Sequence, residues 1–300
     1  MAVFTIAGLT LKEAIRRRTL VGAVLMGLLV LGLSLLLLRI RFSMQETVAQ
    51  GRRSPEWLAL QYPLARSFVT SLCLSSIKSL GALFAVLLAG GAVSSEIERG
   101  LLAVILPKPI HRWQILLGKW IGLNCILIGS TLLWAMMVWA SLTIQKHYDK
   151  TLLATTPLLK AGLVLTLFPM VVCTLALSLS TFAPRLFGTS LALTFGAFAW
   201  FDGIFNALAN AFNVESLRTL AKVAGLVVPQ GYIAWRVDDV MRGAILVPPQ
   251  QALNWESPRF VQEWGAAHLH FAYLDLVYIA LYIVVVFLAG AAIFQRRDVQ

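Results

Sequence analysis

Six long apolar stretches dominate the chain and limit what it can fold into. A helix that rises 1.5 Å per residue needs about 20 apolar residues to cross a hydrocarbon core about 30 Å thick. The stretches that meet this length are approximately residues 19–38, 71–94, 115–144, 158–182, 186–212 and 271–294. Because 59% of all residues are hydrophobic and only 13% are charged, a water-soluble fold of this size could not bury them. The sequence predicts an all-α integral membrane protein, with six transmembrane helices in a single domain over residues 1–300.

The distribution of Lys and Arg predicts which segments face the cytoplasm. Six spans place both termini on one side, and basic residues mark the cytoplasmic side of a membrane. With the N-terminus inside, Lys and Arg are about twice as dense in the inner segments as in the outer ones. Arg39, Arg41, Arg52 and Arg53 fall in an outer segment and favour the opposite orientation. On balance we expect cytoplasmic N- and C-termini, with the +11 net charge facing lipid headgroups rather than nucleic acid.

The chain carries few residues arranged for chemistry. It has no Gly-x-x-x-x-Gly-Lys-Ser/Thr loop that could hold a nucleotide phosphate. His268 and His270 form the closest histidine pair, but residues two apart on a helix point to different faces. We expect this chain to hold no catalytic residue, no cofactor and no metal, and therefore not to be an enzyme.

The segment from residue 94 to residue 122, SSEIERGLLAVILPKPIHRWQILLGKWIG, combines features that the apolar spans lack. Its charged opening is followed by an apolar stretch, residues 101–106, that is too short to span the membrane. Pro107 and Pro109 then impose a turn, and Gly118-x-x-x-Gly122 suits close packing of two helices. The pattern predicts a compact, charged helical hairpin over residues 95–114 on the cytoplasmic side. An ordinary interfacial loop is the alternative.

This segment resembles one in a known family. Residues 94–100 and the proline-containing run at residues 106–119 are similar to the permeases of type-2 ATP-binding-cassette exporters. Residues 11–18, LKEAIRRR, resemble part of the amphipathic elbow helix of those permeases, here assigned to residues 1–18. Residues 294–298, FQRRD, resemble the tail that follows their last helix. The resemblance extends over the whole chain in layout and is sharpest in the 94–119 segment.

The resemblance implies a division of labour between subunits. A separate cytoplasmic ATPase dimer would bind ATP and Mg²⁺, and the 95–114 hairpin would couple it to two permease copies, identical or paralogous. The residues that the resemblance assigns to coupling are Glu96, Glu98, Arg99, Gly100, Pro107 and Arg112. Those that would hold the elbow helix at anionic headgroups are Glu13, Arg16, Arg17 and Arg18.

The resemblance also sets the expected function and its alternatives. It implies a permease in the inner membrane of a prokaryote that exports a lipid-like, drug-like or other hydrophobic cargo. A permease of the same family could instead transmit motion to an extracytoplasmic partner protein, for which the outer segment 213–270 offers a docking surface. A secondary transporter, from a different class, would show repeated halves around intramembrane charges, and the first and last three spans show no convincing similarity.

Two charges fall inside the predicted spans. Lys78 and Asp202 each lie 16 residues from the inner end of their span, at about 24 Å from the cytoplasmic face. A charge within the bilayer is costly and needs a partner, water or a route to the interface. We therefore expect Lys78 and Asp202 to pair or to line a shared pathway. The simpler alternative is that Lys78 extends to the outer headgroups.

Overall fold

In a computed structural model, the chain is described over residues 2–16, 21–32, 35–36, 76–98, 111–146, 155–182, 184, 189–194, 215–216, 219 and 273–296. The described residues form helices, with no strand among them. The helices discussed below are α1 (Ala2–Arg16), α2 (Val21–Gly32), α3 (Ser76–Glu98), α4 (Arg112–Lys146), α5 (Thr155–Ser180) and α6 (Tyr273–Arg296). Residues 90–93 of α3 form a turn, after which the helix resumes at Ser94–Glu98.

Four of these helices are long and apolar enough to cross a membrane: Ser76–Glu98, Arg112–Ala140, Gly162–Ser180 and Leu276–Arg296. They correspond to the second, third, fourth and sixth predicted spans. Helix α2 lies within the first predicted span but is shorter than a full crossing over its described residues. Within the fifth predicted span, residues 189–194 are helical and the others lie outside the described residues. The protein is thus all-helical where it is described, and it crosses the membrane several times.

Helix α4 lies at the centre of the bundle and contacts each of the other helices. Trp134 is fully buried near its middle and donates a hydrogen bond from Nε1 to the carbonyl of Ala23 in α2 at 2.9 Å. The Trp134 ring also lies 6.0 Å from the ring of Phe84 in α3. A Cβ on Gly27 would lie 2.8 Å from the Trp134 ring. The glycine therefore lets α2 approach this indole.

Small residues set the other close approaches between helices. A Cβ on Gly81 of α3 would lie 2.7 Å from Pro169 of α5, and one on Gly290 of α6 would lie 2.6 Å from Ser178 Oγ of α5. The Ser178 hydroxyl donates to the Val286 carbonyl of α6 at 3.0 Å. Such small-residue contacts are typical of helices in lipid, where close backbone approach replaces the hydrophobic effect as a source of attraction.

Helix α1 has three distinct faces. Val3, Ala7, Thr10 and Ala14 recur at helical spacing, and three of them meet α4, as described below. Phe4, Leu11 and Ile15 form a second face, which is exposed and apolar. The charged residues form the third face, which is also exposed: Lys12, Glu13 and Arg16. This arrangement suits a helix that lies at a membrane surface with one side against protein.

Candidate functional site at the charged end of the bundle

The ends of four helices meet on one side of the bundle. Helix α3 ends there at Glu98 and α4 begins there at Arg112, while α1 and the C-terminal end of α6 pack against the first turns of α4. We call this region the charged end, because Glu96, Glu98, Arg112 and Lys119 all lie in it. The N-terminal helix and the C-terminal end of α6 thus lie on the same side of the bundle.

The turn in α3 leaves one backbone carbonyl without its helical partner. In a continuous helix the N–H of Glu96 would donate to the carbonyl of Ala92, but here it donates to Val93 at 3.1 Å. Gly90 opens the turn, where an added Cβ would lie 2.7 Å from the Val86 carbonyl and 2.9 Å from Thr189 Cγ2. The tight turn therefore depends on a residue without a side chain at position 90.

Lys119 of α4 fills the position opened by this turn. Its Nζ donates to the Ala92 carbonyl at 2.6 Å and lies 2.5 Å from Glu96 Oε2. Lys119 is only 7% exposed, so its ammonium group is stabilised by protein groups, these two oxygens among them, rather than by bulk water. Lys119 joins the turn, the short helix Ser94–Glu98 and the start of α4 in one polar cluster.

Sequence reasoning did not assign a role to Lys119. In the sequence it is the last residue of the family-like run at residues 106–119, next to Gly118 of the Gly-x-x-x-Gly pattern. A useful signal was present, since Lys119 is a lone cation about 10 Å along an apolar helix from Arg112. A buried cation of this kind needs an acidic or carbonyl partner. Glu96 lies on the other side of the predicted hairpin, which would bring it near Lys119.

Glu96 and Glu98, which were predicted to act together, have different surroundings. Glu96 faces inward to Lys119, and its side chain is 20% exposed. Glu98 is exposed at the end of the helix. Ser94 and Ser95 at the start of this short helix are buried, and Ser94 Oγ has no hydrogen-bond partner among the described residues. Of these two carboxylates, Glu98 is thus better placed to meet another protein.

Arg112 lies in the first turn of α4 rather than in a loop before it. Helix α4 begins at this residue, three residues earlier than the predicted span, so residues 112–114 of the predicted hairpin belong to α4. The Arg112 Nη1 donates to the carbonyls of Phe294 at 3.2 Å and Gln295 at 3.4 Å. A cation beside the last carbonyls of α6 is favourable because it satisfies groups at the negative end of that helix.

The predicted Gly-x-x-x-Gly contact exists, and its partner is α1. An added Cβ on Gly118 would lie 2.7 Å from Ile6 Cβ and 2.9 Å from the Val3 carbonyl. One on Gly122 would lie 2.8 Å from Thr10 Cβ and 2.9 Å from the Ala7 carbonyl. Helix α1 is therefore fixed to the same two turns of α4 that carry Lys119.

Trp120 connects this part of α4 to α5 and α6. Its Nε1 donates to Thr174 Oγ1 at 2.8 Å, and its ring lies 6.1 Å from the Phe287 ring. Residues 118–122 of α4 thus contact four helices, since Gly118 and Gly122 meet α1, Lys119 meets α3, and Trp120 meets both α5 and α6. A displacement of this part of α4 would therefore alter its contacts with four other helices.

Lys78 lies away from the charged end, on α3. Its side chain is buried, and Nζ lies 5.2 Å from the ring centroid of Phe168 in α5, which is within the range of a cation–π contact. Its predicted partner Asp202 lies outside the described residues. The pairing of the two charges stays a prediction.

Several other predicted site residues also lie outside the described part of the chain. These are Arg17, Arg18, Arg99, Gly100 and Pro107. The same holds for most of the outer segment 213–270. Among the residues that are described, no group of three or more metal-ligating side chains occurs.

The decisive comparison is with protein families. Residues 4–299 match the model of a family described as ABC-2 family transporter protein. The chain belongs to the ABC-2 transporter family. The match includes the elbow-like helix, the charged end and the last helix, so the resemblance carried by residues 94–119 extends over nearly the whole sequence. Comparison with individual curated proteins gives no significant match.

Membership in this family accounts for the architecture. ABC-2 family proteins are membrane-spanning transporter subunits, and the apolar helices of this chain agree with that role. Where it is described, the charged end contains an ion pair, contacts that cap the end of α6 and close packing between helices.

Proposed function

We propose that this ABC-2 family protein is the permease subunit of an exporter driven by a separate ATP-binding-cassette ATPase. The observation that carries the proposal is the short helix Ser94–Glu98, which presents an exposed carboxylate at Glu98 while Glu96 is tied to α4 through Lys119. Because this segment is exposed at Glu98 and bonded to α4 at Glu96, a displacement imposed at Glu98 by a partner can be transmitted to the helix bundle.

In this proposal the 95–114 hairpin docks on the ATPase, which binds ATP and Mg²⁺. Two permease copies, identical or paralogous, enclose a pathway for a lipid-like, drug-like or other hydrophobic cargo. Both termini face the cytoplasm of a prokaryote, and the elbow helix lies on the inner leaflet with its charged face toward the headgroups. The exposed apolar face of α1, formed by Phe4, Leu11 and Ile15, supports this placement.

Copurification with a P-loop ATPase, followed by one charge reversal, tests the proposal. The wild-type permease should retain the ATPase through membrane extraction and affinity purification. Glu98→Lys should lower this recovery about tenfold, because the reversed charge faces the partner directly. Glu215→Lys serves as the matched variant, since Glu215 is also an exposed glutamate but lies in the outer segment, and it should retain the ATPase.

The outcomes separate the parts of the proposal. Failure of the wild-type chain to associate with any ATPase would overturn the permease function. Equal recovery with wild type and Glu98→Lys would remove Glu98 from the docking surface. Glu215→Lys could instead abolish transport while ATPase binding stayed intact. That result would favour the alternative role, in which motion is transmitted to an extracytoplasmic partner through residues 213–270, over direct export.

A further inference from the structure

The turn at residues 90–93 separates the membrane part of α3 from the short helix that ends at Glu98. One of its backbone hydrogen bonds departs from the α-helical pattern at Glu96. In the observed pattern the Glu96 N–H donates to Val93, whereas a continuous α-helix would have it donate to Ala92. A change from the observed bond to the α-helical one would redirect residues 94–98 relative to the bundle, and in that sense the turn at residues 90–93 would act as a joint.

Lys119 stabilises one of these two patterns. Its ammonium group occupies the Ala92 carbonyl at 2.6 Å, the acceptor that the continuous helix would use, and it holds the Glu96 carboxylate at 2.5 Å. Both contacts come from a different helix, and both are lost if the turn straightens and rotates Glu96 away. The ammonium group is also largely shielded from water, which strengthens its interaction with the carboxylate.

The neighbours of Lys119 on α4 connect its contact with α3 to other helices of the bundle. Gly118 and Gly122 fix α1 to the same two turns of α4, and Trp120 contacts Thr174 of α5. On the other side of the joint, Gly90 packs closely against Thr189. A force applied at Glu98 would therefore reach α4 if the joint is held, and would be absorbed by rotation at residues 90–93 if it is free.

We propose that Lys119 is a positioning residue that locks the joint at residues 90–93 through Ala92 and Glu96, so that motion of the Ser94–Glu98 helix is passed to α4. We call this arrangement the Lys119 latch. The part of the inference that concerns energy transmission rests on the function proposed above. The latch itself is a property of the permease chain and can be tested without an ATPase.

The first experiment measures the joint in the permease alone. Spin labels are placed at the exposed positions 98 and 111 of the full chain, with its three native cysteines replaced by alanine, in lipid nanodiscs. We expect a narrow distance distribution with Lys119 present and a distribution at least about twofold broader in Lys119→Met, because two conformations become populated. Lys12→Met, which removes an exposed lysine on α1, should leave the distribution narrow.

A second variant covers the case in which Lys119→Met does not fold. Glu96→Gln keeps the size of the side chain but removes its charge, and it should also broaden the distribution. Narrow distributions in every Lys119 and Glu96 variant that folds would overturn the latch. If Lys12→Met broadened the distance distribution to the same extent, the effect would follow from the loss of a positive charge in general. That result would also overturn the Lys119 latch.

The second experiment adds the ATPase and separates transmission from assembly. In Lys119→Met we expect the affinity for the ATPase to stay within about twofold of wild type, because Glu98 is unchanged, while permease-dependent stimulation of ATP hydrolysis falls about tenfold. Unchanged stimulation would overturn the transmission role. If the wild-type chain bound no ATPase, the proposed function would fail, while the spin-label result would still decide the latch.

Discussion

At the scale of single residues, the charged end shows that charged residues of the same motif can differ in burial and in contacts. Glu96 and Glu98 belong to one motif, yet Glu96 is largely shielded beside the buried Lys119, whereas Glu98 is exposed at the end of the helix. Arg112 was predicted to serve coupling, and the structure places its guanidinium on the last carbonyls of α6. Side-chain direction thus separates the charged residues of this motif into inward-facing and outward-facing groups.

Reversing the two glutamates should therefore affect stability very differently. Glu96→Lys would place two ammonium groups together beside the Ala92 carbonyl. We expect it to lower the free energy of unfolding by about 2 kcal/mol, a value reduced for the partial exposure of Glu96. Glu98→Lys should change it by less than about 0.5 kcal/mol. Thermal unfolding in detergent checks both, and equal stability of the two variants would contradict the structural distinction.

Removing the Arg112 guanidinium should loosen the end of α6. In Arg112→Gln the carbonyls of Phe294 and Gln295 lose a cationic donor, at a cost of about 0.5–1 kcal/mol. Hydrogen exchange of the last turn of α6 should become faster, while exchange in α5 stays unchanged. His111→Gln, a neighbouring substitution at an exposed position, should not accelerate it. If the last turn of α6 exchanged at the same rate in Arg112→Gln as in the wild type, the contact between Arg112 and α6 would not be stabilising.

At the scale of helices, close packing through small residues determines which elements touch. Gly118 and Gly122 face α1, Gly27 admits Trp134, and Gly290 meets Ser178. Polar side chains within the spans satisfy themselves locally, as when Thr131 and Thr174 donate to carbonyls one turn earlier at 2.8 and 2.7 Å. Such local bonds keep hydroxyl groups acceptable in a lipid-embedded helix.

A bulky residue at position 118 should displace α1. Gly118→Ile would place its Cβ 2.7 Å from Ile6 Cβ, and we expect a loss of about 1–3 kcal/mol from overpacking. Gly129→Ile is the matched variant on the same helix, since nothing lies within 4 Å of an added Cβ there. Hydrogen exchange of α1 should accelerate only in Gly118→Ile. Equal protection of α1 in both variants would contradict the packing.

At the scale of the whole molecule, α4 organises the bundle and the charged end gathers four helices around its first turns. The apolar surface outside these contacts is large, and α6 in particular exposes Val277, Leu281, Val284 and Leu288 along one side. In a membrane protein this exposure is expected, because lipid solvates such a face at little cost. Among the described residues, the buried charged side chains are Lys119 at the charged end and Lys78 on α3.

The intramembrane charges give a test of the transport pathway. Lys78→Ala and Asp202→Ala should each reduce permease-dependent stimulation of ATP hydrolysis. If the two charges are paired or share a pathway, the double substitution should lose less than the sum of the single ones, by about 0.5–3 kcal/mol. Strictly additive losses would refute the pairing. They would indicate that Lys78 is held mainly by its contact with Phe168.

The sequence alone determined the class of this protein and indicated its family. Apolar stretches of about 20 residues require a membrane, and four of the six predicted stretches are spanning helices in the described part of the chain. The motif at residues 94–119 indicated the family, which the match over residues 4–299 confirmed. These features are local in sequence, because helix length and hydrophobicity do not depend on the neighbours of a helix.

Only the tertiary structure decided which charges face inward and which helices meet. The 3.6-residue period places Lys119 on a face of α4, but it does not say that a turn in α3 will present the Ala92 carbonyl and Glu96 to that face. Likewise, Gly118 and Gly122 predicted a helix contact without naming α1 as the partner. In lipid, apolar faces are nearly equivalent, so hydrogen bonds and the fit of small residues select the neighbours, and both depend on the three-dimensional arrangement of the helices.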